Sequence, residues 1–493
     1  MYFRRLFNSI LMFERRFYSV VRIWGMLLIL ESLMIFLSLG VDMLYEAKAF
    51  KPLLNSGLIT LSLGLFLWVP IKKIDISVDR KLGFFIVATV WLILSAFGAL
   101  PFWLGGYTPT YTDAFFETIS GFTTTGASIF PSVEILPKGI LFFRSIIAWL
   151  GGIGMVVIMI AFIPFFGGSG MSLFSAEVAG PSKSKITPKL KQTASLLLRV
   201  YLTLTLLAIL SFYFAGMNFF DSVCHSFCAL ASAGFSTKDT SISGFSPLIQ
   251  YIAIIFMFFA GTNFTLFILL LRKEFRKVIR NEELRVYIGI ILIFSLLIAL
   301  FIYNNDIGIE ASIRHALFQV ISIMTTTGFA TFDYTIWNVP AYFLIFILMF
   351  IGAMSGSTSG GLKVVRIIVL FKNARKITYE GLHKNAFNPV RIDSKIIEDK
   401  VILNVLTVFL LFIITYILSV FFLVLFNTPI LEAIGSAIAA LSNVGPGLGI
   451  SGGFGNYSNY SIESKWILSF LMYVGRLELI TVYALLFRSF WKI

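Results

Sequence analysis

Two cysteines and three histidines are all that 493 residues supply of the side chains most often used for soft-metal binding or nucleophilic catalysis. Cys224 and Cys228 stand four apart on one expected short helix. With no further cysteine and no histidine cluster beside them they complete no zinc site, and they read as small packing residues. No hydrolase triad, phosphate-cradling glycine loop or zinc signature occurs, which counts against an enzyme. Charge is scarce as well: Asp, Glu, Lys and Arg make up 13% of the chain, and acids are fewer than bases, 25 against 39. The net charge of +14 could suggest nucleic acid. Here the Lys and Arg collect in short polar segments between apolar runs, the distribution of cytoplasmic loops, so no nucleic-acid partner is expected.

What the chain has in abundance is apolar length. Hydrophobic residues make up 58% of it and the mean hydropathy is +0.90, against about 45–50% apolar in soluble domains. That is the composition of an integral membrane protein embedded in a lipid bilayer. A spanning helix needs about 20 apolar residues, so the length accommodates around ten. The first 20 residues hold Arg4, Arg5, Arg15 and Arg16 but no short apolar core followed by a small-residue cleavage site, so they read as a cytoplasmic lead. With both termini cytoplasmic, the basic loops 72–81, 167–192 (Lys183, Lys185, Lys189, Lys191), 272–285 and 372–400 all fall on the same side.

Four short stretches organise the rest: Thr123-Thr124-Thr125-Gly126, Ala231-Ser232-Ala233-Gly234, Thr325-Thr326-Thr327-Gly328 and Ser442-Asn443-Val444-Gly445. Each runs from small or polar residues into a glycine and precedes a long apolar segment. The register is matched: thirteen residues before the glycines stand Asp113, Asp221, His315 and Glu432, and seven before stand Ile119, Phe227, Ile321 and Ile438. The glycines are 108, 94 and 117 residues apart, too long a period for a solenoid. It suits a unit of helix, short helix, loop and second helix. The spacing predicts short helices at 113–122, 221–230, 311–324 and 429–441, and second helices at 139–165, 247–271, from 341, and at 464–490.

The expected fold is therefore an all-α integral membrane protein of ten transmembrane helices. The last eight form four helix–pore loop–helix repeats in pseudo-four-fold symmetry around one pore. The divisions are 1–82 for an extra helix pair, then 83–192, 193–284, 285–400 and 401–493 for the repeats. Glycine can turn its carbonyl where other residues cannot, and rings of backbone carbonyls replace the hydration shell of a monovalent cation. The candidate ligands are the carbonyls of Thr124, Thr125, Gly126, Ser232, Ala233, Gly234, Thr326, Thr327, Gly328, Asn443, Val444 and Gly445. Asp113, Asp221 and Glu432, at the starts of the short helices, read either as helix caps or as a negative vestibule.

Two further features point to control of that path. From Gly352 to Gly361 every residue except Met354 is small or polar, a run unsuited to continuous helix. Gly352, Gly356, Ser357, Thr358, Gly360 and Gly361 thus form a candidate intramembrane gate, with a helix-packing seam as the alternative. Arg476 is a charge deep in the last apolar run and is expected to face the pore beneath the loops, within reach of that segment. No carboxylate relay is evident in the spans, which favours passive conduction over coupling to Na+ or H+ without excluding such a symporter.

Several segments carry a family resemblance: Trp149-Leu150-Gly151-Gly152-Ile153-Gly154, Ser175-Ala176-Glu177-Val178-Ala179-Gly180-Pro181, Gly356 through Lys363, Asn388-Pro389-Val390-Arg391-Ile392 and Gly475-Arg476-Leu477-Glu478. With the four loops they resemble, over nearly the full length, the membrane subunit of the Trk potassium uptake system in the Trk/Ktr/HKT superfamily. The extra N-terminal pair is similar to the Trk branch. The resemblance implies K+ as the transported ion, a bacterial inner membrane and a homodimer with one pore per protomer. It also implies a cytoplasmic nucleotide-binding regulatory subunit of the RCK type, TrkA-like. Its docking face would be Lys372–Lys400 with Lys183–Lys191. In the plant branch a serine at the first filter glycine accompanies sodium preference, so Gly126 implies potassium.

Overall fold

In lipid an apolar stretch can satisfy its backbone only as helix or closed barrel, and this chain forms helices. The computed structural model describes residues 2–45, 47–71, 80–162, 186–303, 308–383 and 388–491. Lys72-Lys73, Lys183, Lys185 and the segment 175–181 lie outside the described residues.

Two leading helices, Tyr2–Tyr45 and Phe50–Trp68, pack against each other. Glycine allows them to approach: a Cβ on Gly25 would come within 2.9 Å of the Gly64 carbonyl oxygen. The first of them also packs against Arg80–Gly98 and Lys138–Phe162. Four units follow. Each opens on a long helix, at Arg80–Gly98, Ile186–Phe214, Glu282–Ile302 and Asp399–Leu425. Each continues with a short helix, at Tyr111–Phe122, Phe219–Ala231, Ile309–Met324 and Ile430–Leu441, within two residues of the expected starts and ends.

Two of the second helices differ from expectation, and the third is interrupted where the small-residue run 352–361 predicts. Lys138–Phe162 is continuous, but the expected helix 247–271 is two, Pro247–Ala260 and Phe264–Leu271, meeting at 95°. Asn263 starts the second piece by accepting the Thr265 N–H at 2.8 Å. The expected helix 464–490 also breaks, into Ile462–Arg476 and Ile480–Leu486 at 111°, where Glu478 and Leu479 take φ of 57° and 43°. In the third unit Val339–Phe350 and Val364–Leu382 are separated by a loop. Among the described residues six helices are long and apolar enough to cross a membrane, or up to eight if each bent pair is one span. A two-stranded hairpin, Arg391–Ile392 with Lys395–Ile396, was not expected. Asp393 and Ser394 turn it with φ of 47° and 66°, the handedness favoured in two-residue hairpins.

Packing between units runs in a circle. The second helix of each unit lies against the short helix of the next: Lys138–Phe162 on Phe219–Ala231, Pro247–Ala260 on Ile309–Met324, Val339–Phe350 on Ile430–Leu441, and Ile462–Arg476 back on Tyr111–Phe122.

The acids at the short-helix starts are not themselves the caps: they stand in the first turn, three residues after Thr110, Asn218 and Pro429. Thr110 and Asn218 accept the N–H groups of Asp113 and Asp221, which fixes the first turn. Both carboxylates are buried, Asp113 on Lys465 Nζ at 2.8 Å and Asp221 on Thr237 Oγ1 at 2.6 Å. A negative vestibule made of Asp113 and Asp221 is thereby corrected, because neither faces open space.

Candidate functional site

The four short helices end in loops built by one hydrogen-bond rule. The N–H of the residue before each glycine binds a carbonyl five residues back: Thr125 to Ser120, Ala233 to Cys228, Thr327 to Ser322 and Val444 to Ala439, at 2.8–2.9 Å. The preceding N–H binds a carbonyl three back, Thr124 to Gly121, Ser232 to Ala229, Thr326 to Ile323 and Asn443 to Ala440. Two residues in each loop are left-handed. Thr124, Ser232, Thr326 and Asn443 have φ of 53–57°, and the glycines two positions later have φ of 61–93°. A side chain pays about 1–2 kcal/mol for that conformation. Four non-glycine residues adopt it at one register, so the backbone path is imposed by the surroundings. Left-handed residues flanking an ordinary one swing the intervening peptide planes round, which lets successive carbonyls face one side.

The loops close on one another. A Cβ added to Gly126 would overlap the Ala233 carbonyl oxygen. One on Gly234 would overlap that of Thr327, one on Gly328 that of Val444, and one on Gly445 that of Thr125. Each glycine thus abuts the carbonyl of the residue before the next glycine, around a full circuit. The four glycines meet Thr125, Ala233, Thr327 and Val444 in this circuit, and Thr124, Ser232, Thr326 and Asn443 are the left-handed residues that precede them. At the last seam, Asn443 Nδ2 also donates to Thr125 Oγ1 at 2.9 Å.

On the side of the residues that precede the glycines lies the loop from Ile351 to Lys363. Ile351 pairs with Leu362 as a parallel bridge, and Gly352 N–H donates to the Leu362 carbonyl at 2.8 Å, which closes its neck. Gly352 is crowded by Gly360, while Gly356 and Gly361 have φ of 77° and 66°. Phe264 N–H donates to the Gly356 carbonyl and Met354 N–H to that of Gly261, so the loop sits in the break of the second unit's helix. It touches the ring directly. Thr358 Oγ1 is 2.9 Å from Ser232 Oγ, Gly360 N–H donates to Thr326 Oγ1 at 2.7 Å, and a Cβ on Gly360 would overlap the Ser442 carbonyl oxygen. Ser357 Oγ bridges Met354 O and Ser359 Oγ within the loop.

Arg476 reaches that loop. Its side chain is buried and donates to the carbonyls of Thr358 at 2.8 Å and Gly151 at 2.9 Å, joining the loop to the first unit. Its neighbour Glu478 pairs with Arg366 at 2.5 Å, not with Arg476. Lys363 Nζ donates to Ser359. Glu283 accepts the N–H groups of Ser355 and Val365, holding both ends of the loop. Two buried cations thus stand beneath the ring, their donors on carbonyls and a hydroxyl.

On the opposite side the residues after the glycines line an open mouth, with Ala127, Phe235 and Pro446 among them. Here lies a pair the sequence reading missed. Arg144 and Glu117, each in an apolar helix, meet at 2.7 Å with both side chains buried. Asp42 and Glu31 are buried too, so individual carboxylates do stand inside the helical segments. The buried thiols of Cys224 and Cys228 pack within the core.

Comparison with known proteins places the chain in a family. Residues 51–492 match the TrkH family, described as cation transport proteins. The chain is 36% identical to the Trk system potassium uptake protein TrkH of Escherichia coli K12 over 483 residues, 97% of this chain and 99% of that one. It is 34% identical to the TrkH of Halomonas elongata, over 96% of this chain and 99% of that one. The crystal structure of the potassium transporter TrkH from Vibrio parahaemolyticus superposes with a TM-score of 0.88 at 31% identity, covering 97% of this chain and all of the other. On sequence and on fold alike, this chain belongs to the TrkH family of membrane transporters, and is not an enzyme.

Proposed function

We propose that the ring is a potassium filter and that the chain takes up potassium across the bacterial inner membrane. One observation carries this: four loops of unlike sequence share hydrogen bonds, left-handed positions and a cyclic contact of glycine against carbonyl. A closed ring of backbone dipoles suits a monovalent cation without side-chain charge. The twelve residues from Thr124 to Gly445 named above are its ligands. Relatives named for potassium uptake at 31–36% identity support the choice of ion. In this reading the chain makes ten crossings, an extra pair at 1–82 and four pseudo-four-fold repeats divided at 83, 193, 285 and 401, with both termini cytoplasmic.

The loop Gly352–Gly361 is the gate, and Arg476 holds it closed by gripping Thr358 while placing positive charge on the ion path. The chain works as a homodimer under a cytoplasmic nucleotide-binding subunit of the RCK type, which docks on 372–400 with 183–191. Purified protein in liposomes tests the core of this. Potassium flux following the potassium gradient alone is the expected result. A reversal potential that shifts with the Na+ or H+ gradient would instead establish a symporter. In cells lacking other potassium uptake, the wild-type chain restores growth on low potassium and Gly126→Ser does not.

A further inference from the structure

The buried pair of Glu117 and Arg144 sits at one seam of the ring. Glu117 is on the short helix of the first unit and Arg144 on its second helix. Arg144 Nε donates to Glu117 Oε1 at 2.7 Å. Its two terminal nitrogens diverge, one to Ser128 Oγ in the first loop at 3.1 Å, the other to the Ser236 carbonyl in the second at 3.2 Å. The guanidinium lies 4.3 Å from the Phe235 ring centroid, on the residue next to Gly234. Glu117 Oε2 accepts the Ile129 N–H at 2.8 Å, three residues beyond Gly126. One ion pair therefore fixes the outgoing strands of two neighbouring loops to each other and to the helix behind them.

At the other seams the strands just beyond the glycines are held to one another by neutral groups, and the buried charges, Arg314 on Gln250 and Lys465 on Asp113, lie between helices. Ile242 N–H donates to the Ala330 carbonyl, and Ala330 N–H to Ser241 Oγ. Tyr334 OH donates to the Gly447 carbonyl. Tyr457 N–H donates to the Ser128 carbonyl, while its OH donates to that of Gly445. A planar guanidinium holds three acceptors in fixed directions, which an ammonium on a flexible stem does not. A ring that must not shrink around a smaller ion needs that stiffness where two loops meet.

We propose that Arg144 and Glu117 are positioning residues that hold the first and second loops at a fixed separation and so set the discrimination of potassium against the smaller sodium ion. This rests on the potassium-filter reading.

The test is the K+/Na+ permeability ratio from reversal potentials of the purified full-length protein in liposomes. Monodispersity and thermal unfolding are measured on the same samples. Arg144→Lys keeps the charge opposite Glu117 but loses the divergent fork. It is expected to lower the ratio about tenfold through higher sodium permeability, on the scale of one or two lost charge-assisted hydrogen bonds. Glu117→Asp, which shortens the anchor by one methylene, is expected to lower the ratio in the same direction. An unchanged ratio in a folded Arg144→Lys protein overturns the inference. So does an equal loss of both ions' flux with lowered thermal stability, which marks a structural brace alone. If Arg144→Lys does not fold, Glu117→Asp decides by the same ratio; failure of both to fold makes the pair a folding element and also overturns the inference. A wild-type protein that passes no potassium refutes the filter reading instead, which separates the two failures.

Discussion

The two ends of the second helices differ as the two sides of a lock do. Where they follow the glycine loops, the four units are equivalent: one hydrogen-bond pattern, one pair of left-handed positions and one cyclic contact recur four times. About thirty residues further on they diverge. One helix is unbroken over its described residues, two bend by 95° and 111°, and the remaining one opens into a loop. Coordination from all sides requires near-equivalent parts, whereas a device with open and closed forms requires a part unlike its neighbours. Under the function proposed above, the same four-unit chain carries both by being regular on one side of the ring and irregular on the other.

The equivalence can be broken at the glycines, where the largest effects are expected. Replacing Gly126, Gly234, Gly328 or Gly445 by serine forces a side chain into a left-handed residue and onto a neighbouring carbonyl. Strain of about 1–3 kcal/mol per site puts the loss of potassium uptake at about a hundredfold. Uptake assays on the four single variants should give similar losses, and one silent position would deny the ring its four-fold character.

On the irregular side the expected change has the opposite sign. Arg476→Ala removes a buried charge and frees the Thr358 and Gly151 carbonyls. Passive potassium flux in liposomes should rise about tenfold, and a fall would show that the arginine supports the path instead of obstructing it. A smaller effect is expected at the mouth, where Tyr457→Phe deletes the 2.7 Å hydrogen bond to the Gly445 carbonyl. At about 1 kcal/mol, single-channel or flux measurements should show about a fivefold reduction. The smallest change belongs to Arg366→Gln. The Arg366–Glu478 contact is partly exposed, so its loss should alter flux by about threefold or less. A larger change would make this contact a principal restraint on the loop.

Legibility in the sequence followed the same division. The glycine loops could be read because a ring repeats its chemistry in register, so four weak signals reinforced one another. Arg476 could be read because a lone charge in an apolar run needs an aqueous or polar neighbour, and the small-residue run 352–361 because it cannot all be helix. The break at Gly261-Thr262-Asn263 was passed over, although asparagine one residue before an apolar run is a helix-start signal. The break at Leu477-Glu478-Leu479 left no local trace, since these residues favour helix and are held out of it by tertiary contacts such as Glu478 on Arg366. The pairs Glu117–Arg144 and Asp113–Lys465 are separated by 27 and 352 residues, and no pattern in one sequence joins charges that far apart.

The meeting of Gly445 with the Thr125 carbonyl, reinforced by Asn443 on Thr125 and Lys465 on Asp113, joins the beginning of the circuit to its end. A ribosome releases the chain from its amino terminus, so the first three loops are in place as an unfinished arc long before the fourth is made. Until residue 445 arrives there is no complete aperture. A chain cut short before residue 445 therefore lacks the last loop and the contacts that tie it to the first.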